Sequence, residues 1–285
     1  MARDIDPSLN RRRLRIELRK AREDAGLTQR DAADSVEWSL SKLIRLEAGT
    51  VSLSVTDLRA LLQLYGVTEP GLVAELEEAA RGSKGQSWWA PYNDMVHPQF
   101  AQYLGYESAT TSLRTYNPVL IPALFQTEDY AMAQLAPRSA PEEARRSAEL
   151  RTTRQERMFD GGQGPEVRIV LDEAAIRRVV GGPGVMRHQL EHLKTMSRHP
   201  RVTMRLLPFT AGAHYSVAGS FILLGFRDGD DLLFLEGPTS MSSSRDDLEL
   251  TARYLECFEE ISNKAYRGDR MIELIDAVME SLDNT

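Results

Sequence analysis

Along residues 9–80 the apolar positions recur three and four apart, the spacing that gathers them on one side of a helix. Leu14, Leu18 and Ala21 form such a stripe in a first helix over about residues 9–25. Gly26 ends it, and Thr28 is placed to cap the next, because its hydroxyl reaches the free N–H groups of the first turn. Ala32, Ala33 and Val36 are small enough for another helix to lie close across this second one. After a turn at Glu37 and Trp38, Ser39 caps a third helix. There Leu43 and Leu46 face inward, leaving Leu40, Ser41, Lys42 and Arg45 on the opposite side. Val55, Leu58, Leu61, Leu62 and Tyr65 mark a fourth helix stopped by Gly66, and a fifth covers about residues 72–80. The polar stretch Arg81-Gly-Ser-Lys-Gly-Gln-Ser87 reads as a linker, which puts a domain boundary near residue 82.

From Trp88 onward the pattern changes. Helical spacing is expected over residues 98–116, 128–135 and 141–160. Val167-Arg-Ile-Val-Leu171 reads as a strand, and Asp172 caps the helix after it. A helix over 183–198, strands at 202–207, 221–226 and 232–235, and helices over 246–264 and 271–282 complete the chain. The prediction is therefore an α-helical N-terminal helix-turn-helix domain (1–82) plus a larger C-terminal α+β domain (83–285), a mixed sheet with helices.

A third helix that buries one stripe and presents short polar and basic residues near its N-terminus fits the major groove of double-stranded DNA. The net charge of −7 opposes that partner until it is divided. Residues 1–65 hold 12 Lys+Arg against 10 Asp+Glu; the rest holds 23 against 32, or −9. Within Arg11 to Arg22 there are seven basic residues and one acid, Glu17. Alone, such a run is commonly a solvated helix face; beside a helix-turn-helix it favours phosphate contact, with the acidic remainder held away from the DNA.

Thr28-Gln29, Trp38-Ser39-x-Ser41-Lys42 and Arg45-Leu46-Glu47-Ala48-Gly49 resemble the XRE (Cro/repressor-like) helix-turn-helix, and more narrowly the WhiJ-like regulators of actinobacteria. Segments later in the chain carry the resemblance onward, among them Ile121-Pro-Ala-Leu-Phe-Gln-Thr127, Leu171-Asp-Glu-Ala-Ala175 and Ala211-Gly-Ala-His214. It implies a sequence-specific transcriptional regulator with a C-terminal domain of unknown function. It also implies that Thr28 and Gln29 open the second helix at the DNA, with Gln29 and Ser39 holding phosphate. Leu40, Ser41 and Arg45 face the groove with Lys42 beside them. Arg45 suits the two acceptors on a guanine edge, Leu40 a thymine methyl, and Lys42 a base or a phosphate. Arg22 and Glu47 occupy positions that form a structural salt bridge, and Trp38 reads as a packing residue.

Two departures stand out: Glu37 replaces the usual turn glycine, and the loop Thr50-Val-Ser-Leu-Ser54 lacks basic residues, for which Arg11, Arg12 and Arg13 can compensate. A domain this small reads too few base pairs alone, so a homodimer is expected. The family further implies a small partner protein encoded nearby; an antitoxin-like protein that neutralises that partner and autoregulates its operon is the alternative function.

Other chemistries are weaker. No run reaches the roughly 20 apolar residues of a membrane helix, and the N-terminal stretch has no apolar signal core, so a cytoplasmic location and no membrane partner are expected. The single Cys257 cannot form an internal disulfide and reads as a small buried hydrophobe. His188-Gln-Leu-Glu-His192 matches a short zinc-protease pattern, but no third ligand is marked and a solvated helix surface is the better reading. Gly181-Gly-Pro-Gly184 reads as a tight turn, and Arg151, Arg154 and Arg157 as an exposed helix face able in principle to take an acidic ligand or partner. No cofactor, no metal and no enzymatic activity are expected.

Overall fold

The computed structural model describes residues 7–47, 51–85, 87–160, 164–227, 230–236, 241–244 and 247–282. It divides into two compact units, Met1–Asn93 with Ala101–Ala109, and Asp94–Phe100 with Thr110–Thr285. In the first, α1 (Pro7–Asp24), α2 (Gln29–Ser35), α3 (Leu40–Glu47), α4 (Val55–Leu64) and α5 (Pro70–Gly82) enclose one core. Leu14 and Leu18 of α1 meet Ala32 and Ala33 of α2, Leu43 and Leu46 of α3, Leu58 and Leu61 of α4 and Leu76 of α5. Each such leucine contributes about 1.5–3 kcal/mol through burial, so the inward stripes of the sequence fix the bundle.

Three of these helices end the same way. After α1, Gly26 N–H bonds Glu23 and Leu27 N–H reaches back to Arg22; after α4, Gly66 and Val67 do the same to Gln63 and Leu62. This termination needs a left-handed residue, and both glycines supply it, at φ 71° and 72°. The end of α2 repeats the pattern with Glu37 and Trp38 bonding Asp34 and Ala33, and here Glu37 takes φ 57°. The turn between α2 and α3 therefore accepts the backbone strain that glycine would avoid.

The first compact unit extends past residue 82, to Asn93. The carbonyl of Ser83, which is buried, accepts from Arg11 Nε at 3.1 Å, and Trp88 Nε1 donates to Ser108 Oγ at 2.8 Å, so the stretch read as a linker is in part packed into the first unit. Ser108 belongs to α6 (Pro98–Ala109).

The second unit is built on a six-stranded sheet in the order β3-β2-β1-β4-β5-β6. The strands are β1 (Ser112–Asn117), β2 (Glu166–Asp172), β3 (Val202–Leu207), β4 (Phe221–Gly225), β5 (Leu232–Glu236) and β6 (Met241–Ser244). β1, β2 and β3 are parallel, joined through α7 (Glu128–Leu135) and α8 (Pro141–Phe159), then α9 (Glu173–Arg177) and α10 (Pro183–Met196). β1, β4, β5 and β6 are antiparallel, and α11 (Leu248–Lys264) and α12 (Asp269–Ser281) follow. Tyr116, Val170, Phe221, Leu223 and Leu233 on one face pack with Phe258 and Ile261 of α11. Leu113, Val167, Ile169, Leu171 and Leu224 on the other face are buried as well, which gives the near-continuous apolar strands of a sheet covered on both sides.

The mixed sheet agrees with the expected fold class, with two differences in its strands. Residues 112–116 were expected to continue the helix begun at 98, and they form β1 instead. Leu113 and Tyr116 keep a helical spacing, but register with both β2 and β4 satisfies the backbone of this central strand on both edges. β6 has a serine run and no alternating apolar signal; its pairing with β5 defines it.

Glu37→Gly should stabilise the first unit by about 0.5–1 kcal/mol, relief of the left-handed strain outweighing the added freedom of the unfolded chain. All three tryptophans, Trp38, Trp88 and Trp89, lie in this unit, so urea unfolding followed by tryptophan fluorescence reads it. A lowered midpoint would mean that the Glu37 side chain, exposed here, holds the turn in some other way.

Candidate nucleic-acid interface

The ends of three helices meet on one carboxylate. Arg22, near the end of α1, donates from Nε to Glu47 Oε1 at 2.7 Å and from Nη2 to Oε2 at 3.1 Å. Its Nη1 bonds the Leu27 carbonyl at 2.8 Å, and Gln29 Nε2 at the start of α2 donates to Glu47 Oε2 at 2.8 Å. Arg22 and Glu47 are 7% and 6% exposed, so the pair is desolvated and its full set of hydrogen bonds is what makes that tolerable. The Glu47 hydrogen bond raises the Arg22 pKa against the opposing effect of burial. Burial, then the Glu47 charge, pushes the nearby Tyr65 phenol up to about 12, and its hydroxyl has no hydrogen-bond partner among the described residues.

This cluster sets the angle between α2 and α3. α2 starts on a capping box: Thr28 Oγ1 accepts from Asp31 N–H at 3.1 Å, and Asp31 Oδ2 accepts from the Thr28 N–H at 3.0 Å and from its hydroxyl at 2.6 Å. Those bonds hold the Asp31 carboxyl below its usual range. α3 starts on Ser39, whose Oγ accepts from Lys42 N–H at 3.2 Å. Leu43 and Leu46 are buried, Leu40 is half-buried, and Ser41, Ile44 and Arg45 are exposed. Arg45 Nε lies 3.3 Å from the Ser41 carbonyl, so its guanidinium stem runs along the outer face of the helix.

Several residues read as DNA contacts have partners inside the domain. The Thr28 hydroxyl is occupied in the capping box and the Gln29 amide is bound to Glu47. Lys42 Nζ reaches Asp57 at 3.2 Å and lies 3.6 Å from the centre of the Trp38 ring. Arg11 bonds the Ser83 carbonyl and Arg13 pairs with Glu75 of α5. In each case a carboxylate or carbonyl within the bundle competes with a phosphate outside it. The side chain of Arg12, and residues 48–50 that close the helix-turn-helix motif, lie outside the described residues. Arg30, beside Gln29, is exposed on the first turn of α2.

The other candidates separate. His188 is exposed with Asp129 3.8 Å away, while burial and then the neighbouring His188 lower the pKa of half-buried His192. Among the described residues no three His, Cys, Asp or Glu side chains converge as a metal site, and no helix is long and apolar enough to cross a membrane. Gly181 and Gly182 both take positive φ, 73° and 89°, in the turn before α10. Arg157 is exposed, but Arg154 is 7% exposed and Arg151 half-buried, which corrects the solvated-face reading for these two.

Arg22→Met should destabilise the first unit by about 3–5 kcal/mol, because it strands a buried carboxylate. In the same fluorescence-detected urea unfolding, Tyr65→Phe should leave the midpoint unchanged or raise it, since the hydroxyl it removes is buried and unpartnered. An Arg22→Met midpoint equal to wild type would mean that the pair does not hold the helices together.

Two family models match successive parts of the chain. Residues 13–76 match a model described as a helix-turn-helix domain, which covers α1 through most of α5, and such a domain is a DNA-binding module. Residues 100–277 match a model described as a domain of unknown function, DUF5753. No curated protein and no solved structure matches the chain. With well over half of its length inside that second model, the chain belongs to the DUF5753 family, and it carries a helix-turn-helix domain ahead of the family's own region.

Proposed function

We propose that this protein is a sequence-specific transcriptional regulator whose α3 enters the major groove, acting by binding rather than by catalysis. The observation that carries this reading is α3 itself: its inner side is fixed by Leu43, Leu46 and Glu47, and its outer side presents Ser41, Ile44 and Arg45 to solvent. Arg45 supplies a planar fork for the O6 and N7 acceptors of guanine; Ile44 and Leu40 supply apolar contact for thymine methyls. Ser39 keeps its hydroxyl at the helix N-terminus, where the positive end of the dipole favours a phosphate.

One such helix addresses only a few base pairs, so the reading includes a homodimer on two half-sites spaced by about 10–10.5 bp or a multiple of it. The second unit supplies the dimer contact or senses a partner. A cytoplasmic protein acting on the chromosome is the setting this implies. Because Gln29, Lys42, Arg11 and Arg13 are held by partners within the domain, few phosphate contacts remain, and specificity leans on the bases.

Genome-wide binding of the wild type and of Arg45→Ala tests this. The wild type should give discrete peaks with a shared short motif. Arg45→Ala should weaken binding to that motif by about 10- to 150-fold, the loss of one bidentate base contact, with little change on unrelated DNA. Arg13→Ala should alter neither affinity nor its salt dependence. Peaks indifferent to Arg45, or a strong effect of Arg13, would overturn the assignment of α3 and of the internal ion pair respectively.

A further inference from the structure

The second unit contains a cavity of about 900 Å3, within the roughly 300–1,000 Å3 usual for small-molecule sites. It opens where the sheet changes character: Asn117 ends β1, which is parallel to β2 on one side and antiparallel to β4 on the other, and Gly219 and Ser220 lead into β4. In open sheets built from parallel strands, ligands gather beyond the carboxyl ends of the strands at such a change of order. Much of the wall is apolar, with Phe100, Val119, Ile121 and Leu150 among its residues.

The charges in the wall are all of one sign. Arg138, Arg151 and Arg154 line the cavity and, among the described residues, no Asp or Glu does, although residues beyond 65 carry a net −9. Arg151 is held in place by side-chain hydrogen bonds. Its Nη1 donates to the side-chain oxygens of Gln126 and, at 2.8 Å, of Gln134; Gln126 Nε2 is itself anchored on the Ile121 carbonyl at 2.6 Å. Gln126 is only 4% exposed, so this arrangement is set by packing before anything binds. Arg154 lies with its guanidinium carbon 5.4 Å from the centre of the Phe100 ring.

We propose that this cavity binds a small amphipathic carboxylate, with the carboxylate against Arg151 and an aliphatic or aromatic body against Phe100, Val119 and Leu150. A fixed guanidinium plane matches a planar carboxylate. A carboxylate also brings a single charge into apolar walls, where desolvating a phosphate dianion is far less favourable. The DNA-binding role of α3 is independent of this site.

Calorimetric titration of the full chain, without DNA, tests it with octanoate and 3-phenylpropanoate against 1-octanol, 3-phenyl-1-propanol and inorganic phosphate. At least one acid should bind saturably and about tenfold or more tighter than its alcohol, the effect of one charge-assisted contact. Arg151→Gln should remove that preference. Val119→Asp, at an exposed position that leaves the fold intact, should weaken the acid by placing a like charge at the cavity. No saturable binding of either acid, equal binding of acid and alcohol, phosphate binding as tight as the acids, or acid binding unchanged in both variants would each overturn the proposal.

Discussion

The helix-turn-helix depends on one buried ion pair. Glu47 closes α3, Arg22 closes α1, and Gln29 opens α2; the two oxygens of Glu47 accept from both partners while Arg22 also holds the Leu27 carbonyl between α1 and α2. A bare ion pair in this position would be neutral or unfavourable, because desolvation offsets its attraction. Here each group has further hydrogen bonds, and what the cluster secures is geometry. It fixes how α3 crosses α2, and with it which side chains of α3 face outward.

That geometry decides the chemistry of the domain. The strain at Glu37 lies in the turn between α2 and α3, and the fully bonded helix end before it keeps the residue left-handed despite its side chain. Lys42, Arg11 and Arg13 neutralise carboxylates or cap a carbonyl within the bundle, so a basic sequence does not become an equally basic surface. The exposed set on α3 is small: Ser41, Ile44 and Arg45. The larger unit follows a separate logic, a sheet that is parallel on one side of β1 and antiparallel on the other, with Arg138, Arg151 and Arg154 in the wall of the cavity beside the end of β1.

Much of this could be read from the chain. Gly26, Thr28, Ser39, Ser54 and Gly66 mark helix ends by local chemistry, which acts over a few residues and is therefore visible in sequence. The strand at 202–207 and the helix at 128–135 were equally legible from spacing. β1 was not, because its state is fixed by neighbours 50 to more than 100 positions away, Val167–Leu171 and Phe221–Gly225, while its own pattern is compatible with a helix. The same limit governed the site. Residue types for DNA contact were visible at α3, but the partners that occupy Arg13, Lys42 and Gln29 come from elsewhere in the fold. Arg151 and Arg154 read as a solvated face because nothing local in α8 announces Gln126, Gln134 and Phe100.

The central claim is that the first unit reads base edges in the major groove through α3. Methylation interference on a bound site tests it most directly, because dimethyl sulfate modifies guanine N7 in the major groove and adenine N3 in the minor groove. The account predicts that methylation at particular guanine N7 positions, repeated in two half-sites, blocks binding while adenine N3 methylation does not. Interference at adenine N3 alone, or none at any base, would contradict it.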